Sequence, residues 1–494
     1  MPPIHTVVVG AGVSGLRCAA RLRCAHGLSH GEVVVVEATA RVGGRCRQAA
    51  TATGGVVELG AEIVHGTTTE INALAEKHGW ALEPLFTWAH GDGCGVPTEP
   101  LPDGGHGLYW LGAESTLLRC DTADPDWAAL NAAFNALEDD TDDEADEADH
   151  DGAPASFFAA DDVCECRGPS LAEYLDACAV PARMRSMAEA GYGNTVAASL
   201  EDVSVSGVRW LEKRWAAQDG DGDMRMLPSL AALPAALAAL PPDGRGLDVR
   251  CDWPVKRISW GGAGAAVVES DDGRVLECTK VVLALPVPVV RDGDIAFDPP
   301  LPARKLAAAA KIGCRRDAVK MHLRFSKRVY PALCHGIICA DAAVPEFWFR
   351  PLATADGAVE YLVTAFATAG FAERLLAEGR DDALDRAVRQ LDTMFRGTDA
   401  EAAASACYLG GSVFNWGDEP RVRCGYTYPA KGQGDAFAVL AEPVGDVLFF
   451  AGEATCGIGP GQTCAENGAS TTQTMHAAMA SGVRAADEAA GKRR

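Results

Sequence analysis

A glycine turn set between a strand pattern and a helix pattern dictates how this chain begins to fold. The Val-rich stretch 4–9 runs into Gly10-Ala11-Gly12-Val13-Ser14-Gly15, which reads G-x-G-x-x-G. Leu16–Arg23 comes next with apolar residues at helical spacing, and Val33–Val36 reads as a second buried strand closed by Glu37. Strand, turn, helix and strand in this order make a βαβ unit. Gly10 then permits the tight turn, Gly12 lets the backbone approach a pyrophosphate, and Gly15 lets helix and strand pack closely. The helix start offers N–H groups to the phosphates, and Glu37 is placed to accept hydrogen bonds from ribose hydroxyls. The residues themselves predict a dinucleotide site, with Val13, Ser14 and Ala38 as further contacts. A purely structural glycine turn would leave the acidic strand end and the order of elements to coincidence.

At 494 residues the chain is too long for one ordinary core, so at least two domains are expected. Its 44 basic and 68 acidic residues give a formal net charge of −24. That balance disfavours nucleic acid, whose phosphates need Lys and Arg, and suits steering of small cationic molecules. The stretch 138–151 holds ten acidic residues in fourteen; such a run repels itself and is expected to be a disordered insert. The 17 cysteines are scattered without a C-x-x-C pair, so no metal site is expected, and most read as reduced, buried small hydrophobes. No apolar run reaches the roughly 18 residues of a membrane span, and no secretory pattern precedes the first strand. The ending Gly491-Lys492-Arg493-Arg494 is not a peroxisomal S-K-L signal. A cytoplasmic protein without membrane or nucleic-acid partners is expected.

Arg41-Val42-Gly43-Gly44-Arg45 comes after Glu37. A second glycine doublet beside arginine suits another approach of backbone and guanidinium to phosphate. NAD enzymes do not need it; FAD enzymes of the glutathione-reductase type often carry it. From here the chain resembles the flavin-containing amine oxidases, most closely polyamine oxidases. The matching blocks are VVVGAGVSGL, VVEATARVGGR, VELGAEIVHG, KVVLALPVPVV with FDPPLPARK, AVKMHLRF, FNWGDEPRVRCGYTY, and LFFAGEAT with QTMHAAMASGVRAA, in the family's order.

The resemblance implies an α/β fold: a Rossmann-like FAD-binding domain of glutathione-reductase type interleaved with an α+β substrate-binding domain. The FAD-binding segments are expected at 1–85, 225–300 and 440–494, and the substrate-binding segments at 86–224 and 301–439, with a crossover at the prolines 299, 300 and 302. It implies FAD contacts at Arg45, Gly60, Ala61, Glu62, Val255, Gly452 and Glu453. It further implies that Lys320 holds a water against the reactive ring nitrogen of the flavin, and that Tyr426 flanks the amine. The residues themselves support Lys320, since a lysine in a buried-strand pattern is costly unless partnered. Lys311 precedes that strand and is a weaker candidate. Tyr428 shares the strand face of Tyr426 if the segment is extended, and Trp416 would support this aromatic wall, which suits a methylene chain bearing cations. His65 is similar to a His of animal polyamine oxidases that could bond a substrate nitrogen. Glu62 is a candidate for cation binding, and Thr474 for the pocket wall.

The sequence departs from the family pattern twice. Residues 457–470 form a longer loop than usual, which blurs the alignment of Thr474. Cys424 stands where polyamine oxidases usually carry Gly, and a Cys at a similar position in monoamine oxidases bonds FAD covalently. A non-covalent FAD is expected, with a link through Cys424 as the alternative. The implied reaction oxidises a polyamine at a carbon next to nitrogen, with oxygen as acceptor, giving an aldehyde, a shorter amine and hydrogen peroxide. A monoamine or L-amino-acid oxidase, or a non-catalytic flavin-binding regulatory protein, remains the alternative; no pocket arginine for an amino-acid carboxylate is identified.

Overall fold

A computed structural model describes residues 3–87, 105–118, 124–138, 168–218, 223–241, 243–262, 265–332, 334–456 and 472–491. Residues 139–151 of the acidic run and the loop 457–470 lie outside them.

The first sheet is built from three distant stretches of chain. Its parallel part orders strands Asp248–Arg250, Val33–Val36, Ile4–Val9 and Val275–Leu283, and Leu448–Phe450 also pairs with the last of these. Val7, Val8 and Val33–Val36 are buried on both sides, which is why these strands read as unbroken valine runs rather than alternations. Strands Val255–Gly262 and Ala265–Ser270 continue the sheet as an antiparallel meander, and a turn at Asp271-Asp272-Gly273 joins it to Val275–Leu283. The opening helix Val13–Ala25 and the final helix Met475–Ala489 share one core on this sheet through Leu16, Ala19, Ala478, Met479 and Ala486. A Cβ on Gly482 would lie 2.2 Å from the Ser14 carbonyl oxygen, so the Ala- and Gly-rich composition of the last helix reflects close packing of the two chain ends.

The second large sheet runs Tyr408–Asn415, Ala318–Phe325, Val359–Thr368, Glu346–Ala353, Cys334–Ala340, Gly105–Leu111, Phe86–Thr87. Lys320 pairs with both Phe366 and Phe414, and Phe366 pairs in turn with Glu346. Residues directly opposite across a ladder share a face. Lys320, Phe366 and Glu346 therefore form one row, while Val319, Met321, Phe347 and Ala365 point the other way into a core with Leu391 and Phe395.

A small sheet sits beside these two, with Asp223–Leu227 between Ile63–His65 and Ala81–Pro84. The helix Ala303–Lys311, which the proline-based crossover assigns to the substrate-binding domain, packs in the core on the opposite face of the first sheet, through Ala308 and Ala309 with Phe437 and Leu440. Fully buried Lys305 explains this: its Nζ donates to the carbonyls of Val439 and Leu440 at the end of helix Ala436–Ala441, at 2.8 and 2.9 Å. Burial pushes its pKa down to about 7. It serves as a helix C-cap and does not line the cavity described below, so burial of a lysine does not by itself mark a reactive one.

Candidate active site

A cavity of about 1110 Å³ runs from the glycine turn to the second sheet. At its first end lie Gly10, Gly12, Val13, Ser14, Glu37, Ala38, Gly43, Gly44 and Arg45. Gly10 has φ +104, and a Cβ there would lie 2.4 Å from the Ala284 carbonyl oxygen. Gly15 does not line the cavity; a Cβ there would lie 2.0 Å from the Gly10 oxygen, which matches its assigned role in helix–strand packing. Gly12 differs from both: its φ is ordinary and a Cβ would meet nothing within 4 Å. Open space of that kind beside an uncapped helix start fits a cradle for phosphate. Glu37 is fixed by Ala11 N (2.9 Å) on Oε2 and by Thr39 N (3.0 Å) and Thr39 Oγ1 (2.9 Å) on Oε1. Val255 completes this end.

These contrasts give a first prediction. Gly12→Val should fold and melt like flavin-free wild type but purify colourless, because its side chain fills the cradle without strain. Gly10→Val should fail to fold, for the backbone there rejects any side chain. Thermal melts and the visible-to-ultraviolet absorbance ratio check both.

Midway, Gly452 and Glu453 bring the C-terminal segment into the wall. Glu453 is buried and accepts from Arg45 Nη1 (3.1 Å) and Thr427 Oγ1 (2.6 Å); Arg45 Nη1 also donates to the Gly425 oxygen (2.7 Å). One carboxylate thus ties together the N-terminal segment, the Tyr426 block and the C-terminal segment. Cys424 is buried but is not among the cavity-lining residues, and its thiol meets that of Cys314; Gly425 occupies the wall in its place.

The far end holds Lys320, Gly60, Ala61, Glu62, His65, Trp416, Tyr426 and Thr474, together with Glu346, Trp348 and Phe366. Lys320 Nζ donates to Glu62 Oε2 (2.7 Å) and the Gly60 oxygen (2.9 Å), and sits 4.9 Å from the Trp348 ring centre. Arg225 Nη2 reaches the other Glu62 oxygen at 3.3 Å. Burial works against ionisation of Glu62, but Lys320 and Arg225 outweigh it and bring its pKa down to about 2. Glu62 lines the cavity, yet two protein cations already occupy it. As a holder of Lys320 it fits better than as the cation-binding group expected from its sequence block.

Trp416 donates from Nε1 to the Leu59 oxygen at 2.9 Å, and the Tyr426 hydroxyl donates to the Thr195 oxygen, so both rings in the wall are pinned. Tyr428 is the exception among the expected aromatics. It is not in the cavity lining: its segment pairs with Gly313, its ring stands where a Cβ on Gly313 would be, and it belongs to the core around Tyr174 and Leu200. His65 faces the cavity opposite Asp223 in the small sheet, with Nδ1 2.7 Å from Oδ1. Desolvation opposes its charging, but the Asp223 carboxylate prevails and raises the imidazole pKa. Thr474 caps the final helix by accepting from Ala477 N at 3.2 Å while also lining the cavity.

Glu346, Trp348 and Asn194 carry no motif that singles them out in the sequence. Glu346 accepts from Trp348 Nε1 (2.9 Å) and Asn194 Nδ2 (3.1 Å). Burial raises its pKa to about 7 against the pull of both donors. A carboxylate opening the aromatic strand Glu346-Phe347-Trp348-Phe349 is as costly as a lysine in a buried strand. The cost that marks Lys320 in its strand therefore marks Glu346 equally.

The family model for flavin containing amine oxidoreductases matches residues 184–490, more than half of the chain, and that for an NAD(P)-binding Rossmann-like domain matches residues 8–77. The human peroxisomal N(1)-acetyl-spermine/spermidine oxidase is 28% identical over 91% of this chain and 90% of that protein. Polyamine oxidase 4 of Oryza sativa is 25% identical over 98% of this chain and 88% of its own. Among solved structures, a putrescine oxidase with bound putrescine superposes with a TM-score of 0.74 at 20% identity, covering 98% of both chains. Cyclohexylamine oxidase from Brevibacterium oxydans gives 0.73 at 18% identity, covering 99% of both. The cradle at Gly12, the fixed Glu37 carboxylate and the Arg45–Glu453 clasp line the part of the cavity suited to hold a dinucleotide cofactor. This chain belongs to the flavin-containing amine oxidoreductase family, and its cofactor is FAD.

Proposed function

We propose that this protein oxidises a polyamine of the spermine and spermidine class at a carbon next to nitrogen. The observation that carries this reading is Glu346. It lies two strands from Lys320 in the same ladder row, about 10 Å away at normal strand spacing. Among the described residues its hydrogen-bond partners, Trp348 and Asn194, are uncharged. Glu62, Asp223 and Glu453 in the same lining each have a cationic or imidazole partner. A buried carboxylate without a paired cation favours a ligand that brings one, and a second ammonium some methylenes from the reacting nitrogen does so.

Gly12, Glu37, Arg45 and Glu453 would hold FAD, which would supply the two-electron oxidation of the carbon beside the nitrogen, with oxygen as final acceptor and hydrogen peroxide as its product. The protein orients and encloses. Trp416, Tyr426, Trp348 and Phe366 give the methylene chain an apolar, aromatic path. Glu346 fixes the distal ammonium and so sets which carbon is presented. Lys320, neutralised by Glu62, places a donor at the far end of the cavity without repelling a cation. A water held by Lys320 is suited to hydrolyse the imine product to an aldehyde and a shorter amine.

The test is peroxide release from a panel of spermine, spermidine, their acetylated forms, putrescine, benzylamine and L-leucine. Spermine, spermidine or an acetylated form should give the highest kcat/KM. Preference for benzylamine or L-leucine would move the assignment to a monoamine or amino-acid oxidase. No peroxide from any of them, with flavin bound, would indicate a flavin-binding protein without turnover.

A further inference from the structure

The chain of hydrogen bonds behind Glu346 begins in an unusual turn. Helix Ala182–Ala188 passes into a π-helical stretch, Glu189–Gly193, directly before Asn194. An extra residue in a helical turn rotates the chain beyond it by about 100° relative to a regular helix, and such turns cluster at functional sites. Here the rotation brings Asn194 and Thr195 to the back of the cavity. Thr195 receives the Tyr426 hydroxyl, and Asn194 receives and gives in a fixed sense. The Thr368 N–H can only donate, and it donates to Asn194 Oδ1 at 2.8 Å. The Asn194 amide nitrogen must then face Glu346, where it donates to Oε2 at 3.1 Å. The Trp348 Nε1–H, also donor-only, holds Oε1. Asn194 and Thr368 are buried, so the amide has no solvent in which to reorient.

We infer that Asn194 is a positioning residue: by donating to one oxygen while Trp348 donates to the other, it favours the ionised form of Glu346 and aims it at the substrate ammonium. This inference rests on the reading of Glu346 as the anchor for a second cation. Its logic is electrostatic. Hydrogen bonds to the charged form favour that form, and burial opposes it. The other groups facing Glu346 are Lys320 on the neighbouring part of the same sheet, which favours ionisation, Asp223 from the small sheet, which opposes it, and the Tyr426 phenol. None of these supplies a donor to Oε2 in place of Asn194 among the described residues.

The experiment measures KM for spermidine against pH in the flavin-loaded enzyme, for wild type, Glu346→Gln, Asn194→Ala and Asn194→Asp. In wild type, KM should fall as pH rises through neutrality, and Glu346→Gln should abolish that dependence. Asn194→Ala should move the midpoint upward by about one pH unit, raising KM near neutrality about fivefold while kcat stays within about twofold. Asn194→Asp keeps the acceptor for Thr368 but sets a like charge on Glu346, and should move the midpoint further in the same direction. A flat wild-type profile, or one that survives Glu346→Gln, overturns the Glu346 reading itself. A wild-type ionisation that Glu346→Gln removes but neither Asn194 variant moves overturns only the inference. Loss of bound flavin from both variants would assign Asn194 to the fold and overturn it as well.

Discussion

Lys320→Met is expected to lower kcat for the best amine by about two orders of magnitude, the usual cost of removing a preorganised donor from a dry site. Its structural effect should be separable. Lys320 and Glu62 are a buried pair at 2.7 Å, and removing one partner of such a pair costs about 3–5 kcal/mol. The Arg225 contact at 3.3 Å retains part of that. The pH dependence has a definite sign. The folded pKa of Glu62 lies near 2, below its usual value, so its stabilising contribution is complete at neutral pH and is lost only as pH falls toward 2. In Lys320→Met that pKa rises toward or above the ordinary carboxylate value, so acidification should cost the variant less stability than it costs wild type. Adding Glu62→Gln should recover stability without recovering turnover, because the buried charge is gone but the donor is still missing. Thermal melts across acid pH and steady-state peroxide formation read the two effects. Wild-type turnover in the single variant would remove Lys320 from the chemistry.

Glu346→Gln should raise KM for spermine and spermidine by about 30-fold to a thousandfold, the range for losing one partner of a desolvated charge pair. KM for a monoamine such as benzylamine should change by less than about threefold, since nothing in it reaches Glu346. In wild type the effect depends on pH. The carboxyl is raised to about 7 by burial, so the ionised fraction, and with it affinity for a second ammonium, increases as pH rises through that value. KM measured across about pH 6 to 8, on either side of that midpoint, against amines of increasing chain length decides the matter. Equal losses for monoamines and polyamines would mean that Glu346 supports the cavity wall and does not bind a cation.

What could be read from the chain alone is what local sequence specifies. At Gly10 and Gly15 the turn leaves no room for a side chain against its own neighbours, and valine runs declare strands buried on both faces. The nucleotide-binding unit was therefore legible, as were the distant Glu453 block and Lys320, each carried by a recognisable segment. What the tertiary structure decided were relations between segments with no sequence signal of their own. The register Lys320–Phe366–Glu346 joins three strands and turns an unremarked glutamate toward the cavity. Pairing with Gly313 draws Tyr428 into a helical core although it lies only two residues from Tyr426. Contacts with Lys320 and Arg225 convert Glu62 from a prospective cation site into a saturated ion pair. The carbonyls at one helix end make buried Lys305 a cap, while Lys320 opens on the cavity. A side chain's chemistry is set by which charges and donors it meets after folding, and partners far away in the chain are fixed by packing and strand register rather than by spacing along it.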